Sequence, residues 1–328
     1  MRRLTTRAAI VACVALMQPA GAQTPPPDGG FSLPLQCSPG EDCWIINYVD
    51  VAPGPAARDF TCGPRTYDGH QGTDFAIRDL ATMRAGVAVI AIAGGTVLRR
   101  RDGVSDTGPE GAGAGRDCGN GVVIDHGGGW TSQYCHLRQG SVAVRPGQPV
   151  ARGARVGLVG LSGRTEFPHA HLTLRRSGTV VDPFTGQAID AGCGKPGGAL
   201  WRAEAAMRYD AGGLYAAGFA PGKVSAQQIS KDAGTPSALP PSTPALVLWG
   251  AAFGVRKGDV LHLVITAPGG GAVIDHRARM PRDRARHITF AGARRPAAGW
   301  QAGLYRGVVR HLRGGRLLKA RVVTVTLR

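Results

Sequence analysis

Apolar and polar side chains alternate along residues 168–174, which read Pro-His-Ala-His-Leu-Thr-Leu. Successive side chains of a β-strand point to opposite faces, so a strand here separates its polar side chains from its apolar ones. The polar face would carry His169, His171 and Thr173. The alternating Ala and Leu side chains would fill a core face, as in a half-buried strand. The pattern therefore predicts a strand that presents two imidazoles side by side.

The same alternation predicts antiparallel β-structure through much of residues 64–197. Two apolar-rich runs, 121–126 and 130–137, flank three consecutive glycines, which is typical of a β-hairpin. Shorter strands are predicted at 87–92, 95–98, 142–146, 147–150 and 153–161. The charged, Gly-rich segment 99–117 is predicted to be a long exposed loop.

A second all-β region is predicted after residue 245. Strand-length apolar runs occur at 246–252, 260–266, 272–274, 288–290, 303–312 and 317–327. Their number and spacing favour a small β-sandwich, with an immunoglobulin-like arrangement as one alternative. Residues 221–244 are rich in Pro, Ser, Ala and Gly and are predicted to be a linker. Residues 198–220 are predicted to form a short helical extension, so the fold class is mainly β in two domains.

The first 22 residues have the pattern of an export signal. Arg2, Arg3 and Arg7 precede an apolar run at residues 8–17, and Ala20-Gly21-Ala22 resembles a cleavage site. The apolar run is too short to span a bilayer, and we expect no transmembrane segment elsewhere. We therefore expect an exported protein, located in a Gram-negative periplasm or, alternatively, secreted.

Six cysteines follow residue 22, and an even number in an exported chain predicts three disulfides. Fifteen connectivities are possible. Proximity in sequence and the predicted hairpin favour two pairs, and elimination gives the third. These pairs are Cys37–Cys43, Cys118–Cys135 and Cys62–Cys193. Disulfides would pin the N-terminal segment 23–63, and the hairpin disulfide would lie on the strand face opposite His136.

Basic side chains are concentrated at the C-terminal end. The net charge of the chain is +17, and residues 245–328 alone hold sixteen Lys/Arg and three Asp, a net charge of +13. We expect this domain to bind an acidic surface rather than to take part in chemistry. The alternative is a domain whose arginines only keep it soluble. We expect no nucleic-acid partner, because the arginines are not interleaved with aromatic stacking positions.

Residues suited to metal chemistry occur at three places. They are His70-x-x-x-Asp74, Tyr134-Cys135-His136-Leu137 and His169-x-His171. Neutral imidazole is among the commonest metal ligands, but each of these motifs alone is a weak signal.

Five sequence pieces in this order, within residues 64–185, resemble the lysostaphin/LytM-type zinc endopeptidases. The pieces are His70-Gln71-Gly72-Thr73-Asp74, residues 119–126, residues 134–137, residues 147–150 and residues 168–172. Members of this family have the duplicated hybrid motif fold and cut peptide cross-links in bacterial cell walls. The resemblance implies an antiparallel β-sheet metallopeptidase domain at residues 64–197.

The resemblance also implies roles for five side chains. His70, Asp74 and His171 would bind Zn²⁺, while His136 and His169 would be a catalytic pair that does not bind the metal. Three protein ligands leave one zinc position for water, which is the arrangement of a catalytic site. The zinc-activated water would be the nucleophile, and the two histidines would move protons or steady the oxyanion.

The expected function is hydrolysis of peptide cross-links in bacterial peptidoglycan, with peptide stems as substrate and envelope carboxylates as the acidic surface. The alternative is a regulatory or wall-binding module that activates another cell-wall hydrolase without hydrolysing peptides itself. Inactive relatives typically lack one or more of the five residues, and all five are present here. One departure is Leu172-Thr173, where the family usually has Phe-Glu, so support of a ligand is expected to differ.

Overall fold

The computed structural model describes residues 26–205 and 207–328. The predicted signal peptide, residues 1–22, lies outside the described residues. The chain is mainly antiparallel β-structure, as the alternation predicted. Among the described residues, no helix has the length and apolar character needed to cross a membrane.

Over the residues that the structure describes, the N-terminal part has ten strands and one short α-helix. The helix is α1 (Leu80–Ala85). The strands are β1 (Cys43–Asn47), β2 (Thr73–Ile77), β3 (Ala88–Ile90), β4 (Gly95–Arg101), β5 (Asn120–Gly127), β6 (Trp130–Leu137), β7 (Pro149–Val150), β8 (Arg155–Leu158), β9 (His169–Arg176) and β10 (Thr179–Val180). Eight of them form one sheet in the order β1-β2-β9-β6-β5-β4-β7, with β10 beside β9, while β3 pairs with β8.

Strand β9 lies near the middle of the main sheet, between β2 and β6. Its apolar side chains Ala170, Leu172 and Leu174 are buried in the core. The predicted two-faced strand is therefore confirmed, and the opposite face presents its polar side chains together with those of β2 and β6.

The C-terminal part contains eight strands and one helix. The helix is α2 (Ala226–Lys231). The strands are β11 (Gly213–Ala220), β12 (Ala238–Leu239), β13 (Ala245–Val255), β14 (Val260–Thr266), β15 (Ala272–Arg279), β16 (Arg284–Arg294), β17 (Gly303–Arg313) and β18 (Arg316–Leu327). They form a three-stranded sheet, β11-β13-β16, and a five-stranded sheet, β12-β18-β17-β14-β15. Both sheets contribute side chains to one apolar cluster. The immunoglobulin-like arrangement of the strands stays a prediction.

The segment between the two β regions differs from its predicted structure. The helical structure described within residues 198–205 and 207–220 is a single 3-10 turn at Ala203–Ala205, and Gly213–Ala220 is a strand paired with β13. Residues 221–244 include α2 and β12. Helix α2 begins with a capping box between Ser225 and Gln228, which stabilises it despite the surrounding turn-forming composition. The division into domains stays a prediction.

The two parts of the chain share an apolar cluster. It joins Trp44, Ile46 and Ala76 of the main sheet to Tyr215, Val247, Trp249 and Phe253 of the C-terminal part. Arg65 lies at the same boundary, where its guanidinium donates hydrogen bonds to the carbonyl oxygens of Ile46 and Asp210. The same guanidinium stacks 5.1 Å from the centre of the Phe253 ring. The C-terminal part is therefore packed on the sheet that carries the predicted site.

All three favoured disulfides are present. Cys37–Cys43, Cys62–Cys193 and Cys118–Cys135 have Cα–Cα distances of 6.1, 5.0 and 4.8 Å. The first lies at the start of β1, and the third connects the loop before β5 to the end of β6. The predicted connectivity is confirmed.

Candidate metal centre

Three adjacent strands bring the predicted site residues together. Asp74 of β2 lies directly opposite His171 of β9, and Cys135 of β6 lies opposite His171 on the other side. His169 precedes His171 by two residues on the same face. The register of this sheet, rather than proximity in sequence, therefore places a carboxylate and two imidazoles side by side.

His70 enters the site from the loop that leads into β2. Between it and Asp74, the backbone at Gly72 passes close to β9. A Cβ atom at Gly72 would lie 2.5 Å from Nε2 of His171 and 2.6 Å from the carbonyl oxygen of Leu172. Only a residue without a side chain allows this approach. Gly72 therefore lets the loop bring His70 over the strand.

The three predicted ligand side chains converge on one point. Asp74 Oδ1 lies 3.1 Å from His70 Nε2 and 2.9 Å from His171 Nδ1, and the two ring nitrogens are 3.1 Å apart. These groups could hold a metal ion among them. Two neutral imidazoles and one carboxylate are a donor set that zinc takes in catalytic sites.

The outer atoms of these three side chains are also held. His70 Nδ1 donates to the Tyr48 carbonyl oxygen at 2.7 Å, which leaves Nε2 with its lone pair directed inward. His171 Nε2 lies 2.9 Å from Thr173 Oγ1, and Asp74 Oδ2 accepts from Asn47 Nδ2 at 2.8 Å. Such outer contacts fix the orientation of metal ligands. Thr173 therefore supports His171 at the position where the family usually has Glu.

The electrostatics of Asp74 and His171 suit cation binding, whereas at His70 the effect of burial is outweighed by the Asp74 carboxylate, which raises the pKa of the ring. Burial opposes ionisation of Asp74, but the nearby side chains of His70, His169 and His171 outweigh burial and hold the pKa of that carboxyl well below its usual range. Burial lowers the pKa of His171. The centre therefore favours a carboxylate beside a neutral His171 imidazole, which is the protonation state of metal ligands.

His136 reaches the site through an unusual backbone conformation. Its φ angle is +62°, in the left-handed region that residues with a side chain rarely adopt. Its backbone N–H donates to the carbonyl oxygen of Cys118 at 2.8 Å, beside the disulfide to Cys135. Strict alternation would place His136 and Cys135 on opposite faces, but both line the same cleft. The prediction that the disulfide lies behind His136 is therefore wrong, because the left-handed residue interrupts the alternation.

His136 and His169 form a second pair of imidazoles beside the first three residues. Their ring centres are 4.7 Å apart. His136 Nδ1 donates to the Ser162 carbonyl oxygen at 2.8 Å, and His169 Nδ1 donates to the Phe167 carbonyl oxygen at 2.9 Å. Because a carbonyl can only accept, both rings donate a proton from Nδ1, and the neutral form of each ring then has its lone pair on Nε2. Burial, and then the neighbouring histidines, lower the pKa of His136 to about 3.

The five residues lie in an open cleft of about 1130 Å³. One wall comes from the loop before β9, which includes Arg164, Glu166 and Phe167. Another comes from the end of β13, the start of β16 and the residues next to them, through Gly254, Val255, Arg256, Asp283, Arg284 and Ala285. Nothing in the sequence pattern indicates this second wall. Asn47 and Tyr48 were also missed as supports of the centre, because nothing near them in the sequence indicates a contact with residues 70–74.

Residues 68–183 match the sequence model of Peptidase family M23. Over 113 residues the chain is 35% identical to the peptidoglycan DD-endopeptidase ShyA of Vibrio cholerae serotype O1, an alignment that covers 34% of this chain and 22% of ShyA. The chain thus spans about a fifth of the length of this curated relative.

Two solved structures are similar to part of the chain. A zinc-containing peptidase from Vibrio cholerae has 25% identity and a TM-score of 0.30, covering 42% of this chain and 35% of that one. The catalytic domain of the antimicrobial peptidase lysostaphin from Staphylococcus simulans has 23% identity and a TM-score of 0.27, covering 37% of this chain and 80% of that one. The matched family segment contains all five site residues and lies within the segment on which the resemblance was identified. Residues 68–183 therefore match Peptidase family M23 in sequence, and this segment carries the whole candidate site.

Proposed function

We propose that this protein is a zinc-dependent endopeptidase that hydrolyses peptide cross-links of bacterial peptidoglycan. The observation that carries the proposal is the convergence of His70 Nε2, Asp74 Oδ1 and His171 Nδ1 beside two further imidazoles. Three disulfides support an oxidising location, and we propose that the protein acts in the periplasm.

In this proposal His70, Asp74 and His171 hold the zinc ion. A bound zinc ion would supply a Lewis acid that polarises the scissile carbonyl and makes water acidic. The outer hydrogen bonds that the rings make to the Tyr48 carbonyl oxygen and to Thr173 Oγ1 keep the two ligand rings in the orientation that binding needs. The chain therefore contributes a site whose ligands require little rearrangement on binding.

His136 and His169 would handle protons in the cleft. Both rings are fixed with Nδ1 donating to a carbonyl, so each Nε2 can accept a proton from water and return it to the leaving amine. The lowered pKa keeps His136 neutral at neutral pH, so its Nε2 lone pair is available to accept a hydrogen bond from a water molecule in the cleft. The two rings are close enough to act on the same reacting group.

A non-hydrolytic module that activates another wall hydrolase is the competing function. A regulator needs the fold and the cleft but has no need of five polar side chains with matched orientations. Each of the four imidazoles has its outer nitrogen held by an oxygen, which favours catalysis over a purely structural role.

The test is mass analysis of the fragments that the purified full-length protein releases from peptidoglycan sacculi. We expect released peptides that differ from the intact cross-link by one water molecule, and we expect a chelator to abolish them and zinc to restore them. Release of fragments only when a second wall hydrolase is added would instead identify a regulator.

We also propose that the C-terminal part holds the enzyme on an acidic envelope surface. On the outer face of its five-stranded sheet, Arg277, His262 and Arg310 are neighbours in one cross-strand row. Asp275 bonds to His262 at 2.7 Å, which leaves the two arginines as the positive groups of this row. Two guanidinium groups that flank one strand on the same sheet face suit carboxylates spaced along a polymer.

Co-sedimentation with sacculi tests this anchoring. The double variant Arg277→Glu/Arg310→Glu should bind intact sacculi less well than the wild type at low salt, and the difference should shrink as salt screens the charges. Cleavage of a small soluble cross-linked peptide should not change. Equal sacculus binding by both proteins at low salt would contradict the proposal.

A further inference from the structure

Phe167 connects the catalytic cleft to the C-terminal part of the chain. Its carbonyl oxygen accepts the His169 Nδ1 proton at 2.9 Å, and its ring lies 4.7 Å from the His169 ring. Thr165 Oγ1 donates to the same carbonyl oxygen at 2.9 Å and lies 3.1 Å from His169 Nδ1. The orientation of His169 therefore depends on where the Phe167 backbone and ring are held.

The Phe167 ring is held from the other side by Arg286. The guanidinium carbon of Arg286, near the start of β16, lies 4.8 Å from the centre of that ring. Phe167 also packs on the apolar cluster that joins the two parts of the chain. A guanidinium on an aromatic face is attracted to it, and more strongly where water is partly excluded.

Arg286 is itself fixed by neighbours on both sides of the boundary. Its Nη2 donates to the Tyr215 hydroxyl at 2.8 Å and to the Arg78 carbonyl oxygen at 3.3 Å. It also stacks 4.8 Å from the Tyr215 ring. Tyr215 belongs to β11 and Arg78 follows β2, so the guanidinium is bound by both halves of the chain.

We propose that Arg286 is a positioning residue for His169, acting through Phe167. This inference rests on the proposed function, because it assigns to the C-terminal part a role in orienting a proposed catalytic imidazole. If it is correct, the site in the N-terminal part depends on Arg286, a side chain about 120 residues away in the sequence. Arg286 touches neither substrate nor metal in this proposal.

Removal of the guanidinium should release the Phe167 ring and the carbonyl that holds His169. Small misplacements of a catalytic group are costly, so we expect kcat of Arg286→Met to fall roughly tenfold to a hundredfold. The KM should stay within about twofold, because ground-state binding is not removed. The matched control is Arg294→Met on the same strand, an exposed arginine at its far end, which should leave kcat unchanged.

Two further variants distinguish a loss of positioning from a loss of folding. Tyr215→Phe removes only the hydroxyl that holds Arg286, so it should also lower kcat, but by a smaller factor than Arg286→Met does. Phe167→Leu combined with Arg286→Met should lower kcat no further than the more damaging single change, because both act through one contact. Fully additive effects, or equal kcat in Arg286→Met and Arg294→Met, would overturn the proposal.

A spectroscopic measurement tests the positioning independently of hydrolysis. Long-range ¹H–¹⁵N spectra of histidine-labelled full-length protein report which ring nitrogen carries the proton, and His169→Gln assigns the His169 signals. We expect an Nδ1-protonated His169 ring in the wild type and a mixture of tautomers in Arg286→Met, with His70 signals unchanged. An unchanged His169 ring in Arg286→Met would refute the positioning role even if the protein proved not to be a peptidase.

Discussion

Four imidazoles line the cleft, and their inner contacts divide them into two groups. His70 and His171 point a nitrogen at the Asp74 carboxylate oxygen, at 3.1 and 2.9 Å. His169 Nε2 is 3.3 Å from the same oxygen, whereas His136 meets the group through its ring contacts with His169 and His171. The proposed ligands are the three residues whose donor atoms all lie within 4.8 Å of one another, His70, Asp74 and His171, and the two proposed proton carriers are not part of that group.

Loss of one ligand should therefore differ from loss of one proton carrier. Asp74→Ala removes one of only three protein ligands, so we expect zinc affinity to fall on the order of a hundredfold or more, together with activity. His136→Ala should keep one zinc per chain and lose roughly a hundredfold or more in rate. Mass spectrometry of the bound zinc and measurement of the cleavage rate, done on both variants, check these two expectations. Unchanged zinc affinity in Asp74→Ala would show that the ligand assignment is wrong.

Asp182 should make the folded state sensitive to pH. It is fully buried in the turn after β10, and burial raises the pKa of its carboxyl to about 6 despite hydrogen bonds from Phe184 and Thr185. The folded protein therefore binds this proton more tightly than the unfolded chain. The stabilisation of the folded state by this bound proton is fully present below about pH 4 and is lost as pH rises through about 6.

Asp182→Asn should remove that pH dependence. The amide keeps the acceptor oxygen but cannot ionise. The free energy of unfolding of the Asp182→Asn variant, compared with that of wild type at the same pH, should therefore rise by on the order of 3 kcal/mol between pH 4 and pH 7. The exposed Asp190→Asn, in the same loop, is the control and should show no such trend. Denaturant unfolding at several pH values measures the difference, and parallel curves for Asp182→Asn and wild type would contradict the expectation.

At the scale of elements, the end of β6 is the part of the site most dependent on covalent support. The Cys118–Cys135 disulfide spans 17 positions and adjoins the left-handed His136. A loop of about this length stabilises a fold by roughly 3 kcal/mol in the chain-entropy picture. The same bond keeps the Cys118 carbonyl where it accepts the His136 backbone N–H.

The double variant Cys118→Ser/Cys135→Ser should therefore lose about 3 kcal/mol of stability and much of its cleavage rate. The matched control is Cys37→Ser/Cys43→Ser, which opens a disulfide spanning only 6 positions. The control should lose less stability and keep its cleavage rate. Thermal unfolding and peptide cleavage measure the two effects, and an equal rate in both double variants would remove the proposed link between the disulfide and His136.

The strands of the site were predictable because their residues alternate cleanly. Strand β9 has small and aliphatic side chains between polar ones, and the hairpin of β5 and β6 has its glycines at the turn. The direction of His136 was not predictable, because a left-handed residue within a strand leaves no mark in the periodicity. Strand β11 was missed because Gly213–Ala220 consists largely of Gly and Ala, which favour strands weakly.

At the scale of the whole molecule, the two parts of the chain are not independent bodies joined by a tether. Trp44 of β1 packs against Tyr215, with ring centres 5.7 Å apart, and the apolar cluster around Trp249 spans the boundary. Sequence patterns reveal which faces are apolar but not which partner covers them. The contacts of Arg65 and Arg286 across this boundary were therefore beyond sequence analysis.

Truncation after Ala220 should consequently damage the N-terminal part. It would remove the β13 partner of β11 and uncover Trp44 and Ile46, which are 5% and 1% exposed in the full chain. Burial of such side chains contributes roughly 1.5–3 kcal/mol each. We expect the truncated chain to aggregate or unfold at lower temperature than the full-length protein, as light scattering and calorimetry would record. A truncated chain with wild-type stability would mean that the boundary contacts contribute little.

The central claim is that one metal ion at His70, Asp74 and His171 enables peptide hydrolysis. Its most direct test is the cleavage rate of cross-linked peptidoglycan peptide, measured while zinc is added stepwise to metal-free full-length protein. The account predicts a rate that rises with zinc, saturates at one equivalent per chain and stays at background in Asp74→Ala. A rate independent of zinc, or background cleavage at every zinc concentration, would contradict it.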